Sequence, residues 1–395
     1  MKRFKVPAFV LGGGMNGLGV VRNLGRNGVT VYSVVERHEQ VIYSKFCKKS
    51  YIVPNIEKNT SILRQFFVDV EKLKDGGVLF PTSDIYSLHL SELKEELENS
   101  YHVPLPSYEV VKKLVDKKEF YQSLSKFGVP YPITYFPESL EKVSRISREI
   151  KYPVFIKPIR SQEFQLKFHK KGFVANTANE LMKHYIFALN NKIDVMFQEV
   201  IPGLAAKNIY GIEGYFDKDS EPKAIFAHRR LRGWPPMFGN TCLRESISIS
   251  EVIAQVGATK NYLRHLKYHG LMEAEWKRDP RDGSFKLLEI NARQSMQNVL
   301  PSRCGINLIL IAYIDAIGEK INYIDNYEKG IKWVNFLQDF ASAIETRISI
   351  RDWIGSLENT REWSYFAVDD FVPWIISDFE TAREIIKRIY SRALA

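Results

Sequence analysis

The chain begins with short apolar runs separated by a glycine-rich turn and a helical pattern. Residues 6–11 are apolar, a glycine-rich turn at 12–17 and a helical pattern to Asn27 follow, and a second apolar run over 29–35 ends at Glu36. This order of strand, glycine turn, helix and strand predicts a βαβ unit at the start of an α/β protein.

The same turn also matches a dinucleotide-binding pattern. Gly12, Gly14 and Gly17 fit G-x-G-x-x-G, and Glu36 lies 19 residues after the last of them. In dinucleotide-binding folds such glycines let the backbone approach the pyrophosphate, and the acid binds the ribose. One interpretation is therefore an NAD(P) site, and the other is a tight turn with close helix packing.

Two apolar patterns in the middle of the chain predict further strands. The first, over 152–158, places Lys157 among apolar neighbours, and the second, over 195–201, ends at Pro202-Gly203. A lysine on a buried strand is unfavourable unless it meets an anion. Lys157 is therefore either a phosphate ligand or one half of an ion pair.

Helical patterns precede these strands. A helix is predicted over 107–127, and it contains Asp116 and Lys117. The segment 77–84 is predicted to be a strand that ends in a polar turn, and its Asp84 either caps the following helix or contacts a ligand.

A basic segment follows two more predicted strands, 210–216 and 223–228. Arg229, Arg230 and Arg232 lie in a predicted loop that also contains glycine and proline. Arginines in such a loop could grip a carboxylate or phosphate bidentately, or they could form a solvated basic turn.

The most informative pattern is a hairpin with acids on one face. Glu289, Asn291 and Arg293 alternate along a predicted strand, so their side chains project from the same face. Folding at the turn 279–283 brings Glu275 of the preceding strand level with Glu289 and Asn291. Two carboxylates and an amide oxygen suit Mg²⁺, and a cross-strand charge pair on a solvated sheet is the alternative.

Composition places the chain among ordinary globular proteins. Its 395 residues are 45% hydrophobic and 26% charged, a length that predicts two or three domains. There is no apolar run of about 18 residues and no signal-like start, so we expect a cytoplasmic protein without an integral membrane segment. The net charge of +10 could indicate nucleic acid or an anionic membrane surface, but the basic residues are dispersed among 46 acids, and an anionic small molecule fits equally well. No nucleic-acid partner is expected. The three cysteines are expected to be buried thiols: Cys47, Cys242 and Cys304.

Taken together, these patterns resemble the ATP-grasp superfamily, and within it the carboxylate-amine or carboxylate-thiol ligases. The resemblance spans about residues 6–310 and rests on the order and spacing of its parts: the glycine turn, Asp116-Lys117, 152–158, 198–203 and 275–293. It implies an α/β (α+β) fold with an N-terminal Rossmann-like pre-ATP-grasp domain before a two-lobed ATP-grasp fold.

The resemblance also implies roles for individual residues. Lys117 and Lys157 would bind ATP phosphates, while Gln198, Glu199, Val200 and Ile201 would hold the adenine at a hinge. Glu275, Glu289 and Asn291 would bind two Mg²⁺ ions, which Mn²⁺ could replace. Arg293 would act on the transition state, and Arg229 or Arg230 would lie near an acyl phosphate.

The implied domains are 1–106, 107–194 for the small lobe, 195–325 for the large lobe with its metal site, and 326–395 as an aromatic-rich extension. The implied activity joins a small-molecule carboxylate to an amine, and a homodimer is the expected assembly. In such relatives the N-terminal domain supplies part of the acceptor-substrate surface. A kinase of the same superfamily, an NAD(P)-linked oxidoreductase and a nucleotide-binding regulatory protein are the alternatives.

Two segments depart from the family pattern. No glycine occurs between Lys157 and Gly172, so the side chains of Arg160, Ser161 or Lys167 are expected to replace a glycine-rich flap over the phosphates. After the hinge, Leu204-Ala205-Ala206-Lys207 offers no acid for the ribose hydroxyls.

Overall fold

The computed structural model describes residues 4–71, 76–159, 164, 168, 171–203, 208–237, 239–379 and 383, and every structural statement below concerns these residues. The chain divides into two compact units. Unit 1 is drawn from Met1–Val111, Leu204–Ala274 and Ile290–Ala395, and unit 2 from Lys112–Gly203 and Glu275–Glu289. The four sequence domains given above stay a prediction.

Unit 1 opens with a parallel sheet whose strand order is β3-β2-β1-β4-β5. Its strands are β1 (Ala8–Leu11), β2 (Val31–Val35), β3 (Cys47–Ile52), β4 (Gly77–Pro81) and β5 (Tyr101–His102). The helices near it are α1 (Gly14–Gly25), α2 (Thr60–Glu71), α3 (Asp84–Glu92) and α4 (Lys94–Leu97). The predicted βαβ unit is confirmed, because β1 pairs in parallel with β2, starting at Ala8 and Val31.

The apolar runs of this sheet have a simple physical cause. Every residue of β1, β2 and β4 is buried, as expected for parallel strands that are covered on both faces. One core continues from this sheet to Tyr215, Phe226, Leu300 and Trp333 elsewhere in unit 1.

A seven-stranded sheet has the order β14-β13-β10-β11-β12-β15-β16. Its strands are β10 (Ile209–Phe216), β11 (Pro222–Trp234), β12 (Asn240–Ser246), β13 (Gly270–Arg278), β14 (Phe285–Asn291), β15 (Lys332–Val334) and β16 (Thr360–Trp363). The predicted hairpin is present: β13 and β14 are joined by a turn in which Gly283 N donates to Asp279 O at 2.8 Å.

Unit 2 contains an antiparallel sheet with the order β6-β9-β7-β8. Its elements are α6 (Lys117–Phe127), β6 (Thr134–Tyr135), α7 (Leu140–Glu149), β7 (Val154–Pro158), β8 (Phe173–Ala175), α8 (Ala178–Asn190) and β9 (Val195–Glu199). Strands β7 and β9 confirm the two strands predicted around Lys157 and Gln198.

One helix was predicted where the structure has two. The segment 107–127 divides into α5 (Tyr108–Val115) and α6, and Asp116 lies between them. The Asp116 carboxylate accepts hydrogen bonds from Lys118 N and Glu119 N. A short acidic side chain that caps a new helix in this way favours a break over a continuous helix.

The predicted arginine loop is wrong. Arg229, Arg230 and Arg232 all lie within β11, which runs to Trp234 and pairs with β12 through register shifts at Arg230 and Arg232. The glycine at 233 is tolerated within this irregular part of the strand.

The remaining helices of unit 1 are α9 (Ile253–His265), α10 (Val299–Arg303), α11 (Leu308–Ala316), α12 (Phe336–Glu345) and α13 (Ile350–Ser356). In the C-terminal region Trp333 and Trp353 are buried, as a packed core requires, whereas Phe371 and Trp374 are exposed. None of the helices in the described ranges is long and apolar enough to cross a membrane.

Candidate functional site

Lys157 is positioned by two strands of unit 2. It lies on β7, and its Nζ donates to Gln198 Oε1 on the neighbouring strand β9 at 2.9 Å. The Gln198 amide is fixed in turn, because its Nε2 donates to Thr134 Oγ1 at 3.0 Å. This relay holds the ammonium in place through a neutral amide.

Other charges of unit 2 act on Lys157. The pKa of Lys157 is lowered to about 8, chiefly by burial and also by the charges of Lys117 and Lys171, while Glu289 and Glu275 oppose the change. Lysines and carboxylates that sequence reasoning assigned to one nucleotide site therefore share one electrostatic environment. Such a group of cations and acids suits a polyphosphate bound together with a divalent cation.

Glu199 has a structural role at the end of β9. Its carboxylate accepts from Ile133 N at 2.9 Å, and it pairs with Lys286 at 2.5 Å and Arg281 at 2.9 Å. Burial opposes ionisation of Glu199, but the hydrogen bonds from Lys286, Ile133 and Arg281 outweigh it and hold its pKa below the usual range. The carboxylate thus fastens β9 to the β13–β14 turn.

The backbone beyond Glu199 is also held. Lys277 Nζ donates to Ile201 O at 2.9 Å, and Val200 N donates to Pro153 O at 3.4 Å. A pocket of about 390 Å³ beside Glu199 is lined by Ile133, Tyr135, Lys151 and Lys286 among others. None of its lining residues is Lys117, Lys157, Glu275 or Glu289, so this pocket is distinct from the group around Lys157.

Asn291 and Arg293 are in contact in unit 1. Arg293 Nη2 donates to Asn291 Oδ1 at 3.3 Å, and Arg293 Nε donates to Asp84 Oδ1 at 2.9 Å. Asp84 was considered as a helix cap, but Ser83 caps α3 by accepting from Tyr86 N. Asp84 instead orients the guanidinium of Arg293. The amide of Asn291 is oriented from its other side, since Nδ2 points to Glu273 Oε2 at 3.4 Å.

The three arginines of β11 have separate environments. Arg229 pairs with Glu245 on β12. Arg232 donates from Nε and Nη2 to the two oxygens of Asp339, each at 2.7 Å, and also to Ser356 Oγ. Arg230 is buried, with Nη1 3.5 Å from Gly239 O. Arg229 and Arg232 are therefore neutralised by carboxylates of the protein itself.

A buried charged cluster of unit 1 was missed from the sequence. Arg244 Nη2 donates to Glu213 Oε1 at 2.7 Å, and Arg244 Nη1 lies 3.0 Å from His228 Nε2. Glu213, His228 and Glu273 have ligand atoms within 4.8 Å of one another, the only group of this kind in the part of the chain that is described. Arg244 already supplies its cation. The feature of the sequence that could have indicated this cluster is Arg244, an arginine on the buried strand β12.

Burial shifts the pKa values of two groups in this cluster. Burial, and then the Arg244 charge, lower the pKa of His228 well below its ordinary value. Burial raises the pKa of Glu213, although Arg244 opposes the change. The cluster supports Asn291 through Glu273, which lies 3.7 Å from Arg244.

The glycine turn before α1 is covered by a side chain of the protein. Glu39 accepts hydrogen bonds from the backbone N–H groups of Gly13 and Gly14. A Cβ at Gly13 would lie 2.3 Å from Glu39 Oε2. A dinucleotide pyrophosphate binds at this end of such a helix. Because a carboxylate is already there, the NAD(P) interpretation is not favoured.

Comparisons with known proteins give one consistent picture. No family model matches the chain. It is 26% identical over 291 residues to the D-aspartate ligase of Enterococcus faecium (strain Aus0004), which covers 70% of this chain and 68% of that protein.

Solved structures share the fold. The biotin carboxylase domain dimer of Hydrogenobacter thermophilus 2-oxoglutarate carboxylase, in complex with magnesium ADP, ADP and bicarbonate, has a TM-score of 0.65 at 16% identity, covering 84% of this chain and 74% of its own. The L-amino acid ligase of Bacillus licheniformis has a TM-score of 0.59 at 15% identity, covering 81% and 76%. The predicted mixed α/β fold is confirmed by this likeness.

Proposed function

We propose that the chain is a carboxylate-amine ligase of the ATP-grasp superfamily, which phosphorylates a substrate carboxylate with ATP and couples the acyl phosphate to an amine; its likeness to D-aspartate ligase supports this. The products are an amide, ADP and phosphate. A free carboxylate has no good leaving group, and phosphorylation supplies one. The observation that carries this proposal is the shared environment of Lys157, Lys117, Glu275 and Glu289 in unit 2.

Lys117 and Lys157 would bind the phosphates of ATP. Phosphoryl transfer needs positioning and charge neutralisation rather than covalent help from the protein. Lys157 fits this role because Gln198 holds its ammonium at 2.9 Å without neutralising it. The residues Gln198, Glu199, Val200 and Ile201 would receive the adenine, mainly through backbone groups, since the Glu199 carboxylate is engaged by Lys286 and Arg281.

Glu275, Glu289 and Asn291 would hold magnesium. Hard oxygen donors are what Mg²⁺ requires, and the hydrogen bond to Glu273 turns the Oδ1 of Asn291 away from that acid. When bound, magnesium would neutralise charge on the transferring phosphoryl group. Two ions, and replacement by Mn²⁺, are part of the proposal.

Arg293 would stabilise the transferring phosphoryl group. Its guanidinium is aimed by Asp84 at 2.9 Å, which lowers the entropy lost when it meets substrate. Arg229 or Arg230 would contact the acyl phosphate; Arg229 also pairs with Glu245. The flap side chains Arg160, Ser161 and Lys167 and the segment 204–207 lie outside the described residues, so their roles stay predictions.

The likeness to D-aspartate ligase and L-amino acid ligase supports an amino acid as one substrate, and D-aspartate is the first to test. We also propose that 1–106 is the pre-ATP-grasp domain. A homodimer is expected, supported by the dimeric biotin carboxylase domain.

The test is a screen of amino acids, including D-aspartate, and small carboxylates for ADP release from magnesium ATP. Hydroxylamine is then added in place of the amine, because it traps an acyl phosphate as a hydroxamate. Hydroxamate formation supports the ligase. ADP release without hydroxamate for every active substrate would indicate a kinase and contradict the proposal.

A further inference from the structure

An apolar stripe runs along the outer side of helix α12 in unit 1. Phe336, Phe340 and Ile344 follow one another at intervals of four residues, so their side chains lie on the same side of the helix. All three are exposed, with relative exposures between 40% and 59%. The exposed side of a helix normally carries polar residues. Packing within the chain therefore does not explain this stripe.

The opposite side of α12 is fastened to strand β11. Ser342 Oγ donates to Gly233 O at 2.9 Å, and Asp339 accepts two hydrogen bonds from Arg232, each at 2.7 Å. Asp339 and Ser342 are buried. These contacts fix the rotation of the helix, so the stripe faces outward because the inner side is held, and not because the helix is loosely attached.

Helix α13 extends the apolar surface. The Trp353 ring lies between the two helices, with its centroid 5.4 Å from that of Phe336 and 5.0 Å from that of Phe340. Ile350 and Ile354, which lie one turn apart on α13 around Trp353, are 70% and 60% exposed. We name these five residues the α12–α13 face: Phe336, Phe340, Ile344, Ile350 and Ile354.

The α12–α13 face has the apolar area of one side of a stable interface. With about 200 Å² for each fully exposed side chain of this size, the exposed fractions of the five residues amount to roughly 500 Å². Single exposed apolar residues are common, but contiguous patches of several hundred Å² mark interaction sites. A standard interface buries about 800 Å² on each partner, and about 56–65% of that area is apolar, which is roughly 450–520 Å².

The charges near this face favour a second copy of the chain as its partner. Arg347 and Arg351 are exposed in the same two-helix segment, and so are Asp352 and Glu358. An anionic membrane or a nucleic acid would be attracted by an excess of basic residues. Two bases and two acids instead allow the acids of one copy to face the bases of the other, which is the self-complementarity that a two-fold interface requires.

We propose that the α12–α13 face is a homodimer interface, in which it packs against the same face of a second copy across a two-fold axis. Each chain then covers the apolar stripe of the other, and the assembly closes at two chains. The inference rests on the homodimer that we expect alongside the proposed function. It does not depend on the phosphoryl chemistry, so it can be measured without ATP.

The experiment is sedimentation velocity of the full chain over a range of concentrations up to the micromolar. We expect a species of twice the chain mass of 45.8 kDa. Ile350→Glu places a charge where the second copy would bury it, and it should weaken dimerisation at least about tenfold. An acid in the first turn of a helix is itself favourable, so urea unfolding of this variant should resemble that of the wild type. Ile344→Lys, near the end of α12, is the second variant and should weaken the dimer similarly.

Ile253→Glu is the matched control. Ile253 is also the first residue of a helix, α9, and it is 63% exposed, but it lies outside the α12–α13 face. The same substitution there should leave the dimer unchanged.

A wild-type chain that stays monomeric at micromolar concentration would overturn the proposal. So would a dimer that either folded variant leaves unchanged, or one that Ile253→Glu weakens equally. Binding of a monomeric chain to vesicles of phosphatidylglycerol, lost in Ile350→Glu, would overturn it in favour of a membrane surface. Hydroxamate formation is the separate readout for the ligase: a dimer that responds as expected in a protein that forms no hydroxamate would leave the interface standing while the ligase proposal fails.

Discussion

Burial in the folded protein disfavours the charge of Lys157. Replacing this lysine should therefore change stability and nucleotide affinity in opposite directions. Its pKa is lowered from 10.5 to about 8, chiefly by burial. Since one pKa unit corresponds to about 1.4 kcal/mol, the charged ammonium costs the folded protein about 3 kcal/mol at pH 7. Lys157→Met keeps the volume of the stem and removes the charge. We expect the free energy of unfolding at pH 7 to rise by about 1–3 kcal/mol, and magnesium ATP affinity to fall by about 10–100-fold.

The lowered pKa of Lys157 also predicts how the stability of the protein changes with pH. The unfolded chain keeps this proton to about pH 10.5, but the folded chain loses it near pH 8. The unfolded state therefore binds more protons in that window, and wild-type stability contributed by Lys157 rises with pH across it. The advantage of Lys157→Met should be largest below pH 8 and shrink above it, while wild-type ATP affinity falls as the pH rises past 8.

Urea unfolding at several pH values and calorimetric ATP titration measure both effects. Lys183→Met, on the exposed face of α8, is the control and should alter neither. A Lys157→Met protein that is less stable at pH 7 and binds ATP as wild type does would refute the reasoning.

Two further predictions concern other residues. Glu289→Gln should lower ADP formation by at least about 100-fold, since even groups that only support a metal ligand contribute about 10–100-fold. The fold of this variant, followed by circular dichroism, should not change. Unchanged ADP release would contradict the metal role of Glu289. Asp339→Ala should destabilise the protein by about 3–5 kcal/mol in urea unfolding, because it leaves Arg232, whose side chain is only 11% exposed, without its bidentate partner. The folded Asp339→Ala protein should still form ADP. A decrease of less than about 1 kcal/mol in the free energy of unfolding would contradict this prediction and show that water replaces the carboxylate.

Local patterns allowed much of this fold to be predicted from the sequence. The βαβ unit, the strand of Lys157 and the β13–β14 hairpin follow from apolar runs and turn residues that lie close together in the chain. The contact of Arg293 with Asn291 follows from alternation along one strand. These features depend on neighbours within a few residues, which the sequence displays directly.

The errors concern partners that are distant in sequence. Arg232 looked like part of a loop because its partner Asp339 lies 107 residues later. The sequence does not show that the carboxylate of Glu39 covers the glycine turn. The dinucleotide interpretation therefore became unfavoured only with the structure. The buried cluster joins residues that are far apart in sequence, since Arg244 and its partner Glu213 are 31 residues apart. Tertiary pairing, rather than periodicity, determines each of these environments.

The central claim is that a substrate carboxylate attacks the γ-phosphate of ATP. An ¹⁸O label in that carboxylate tests it most directly, because the oxygen that bonds to phosphorus remains with phosphate when the amine displaces it. The substrate found by the ADP screen would be labelled, and the released phosphate would be analysed by mass spectrometry. The account predicts one ¹⁸O in each phosphate and ADP as the only nucleotide product. Unlabelled phosphate, or AMP with pyrophosphate, would contradict it.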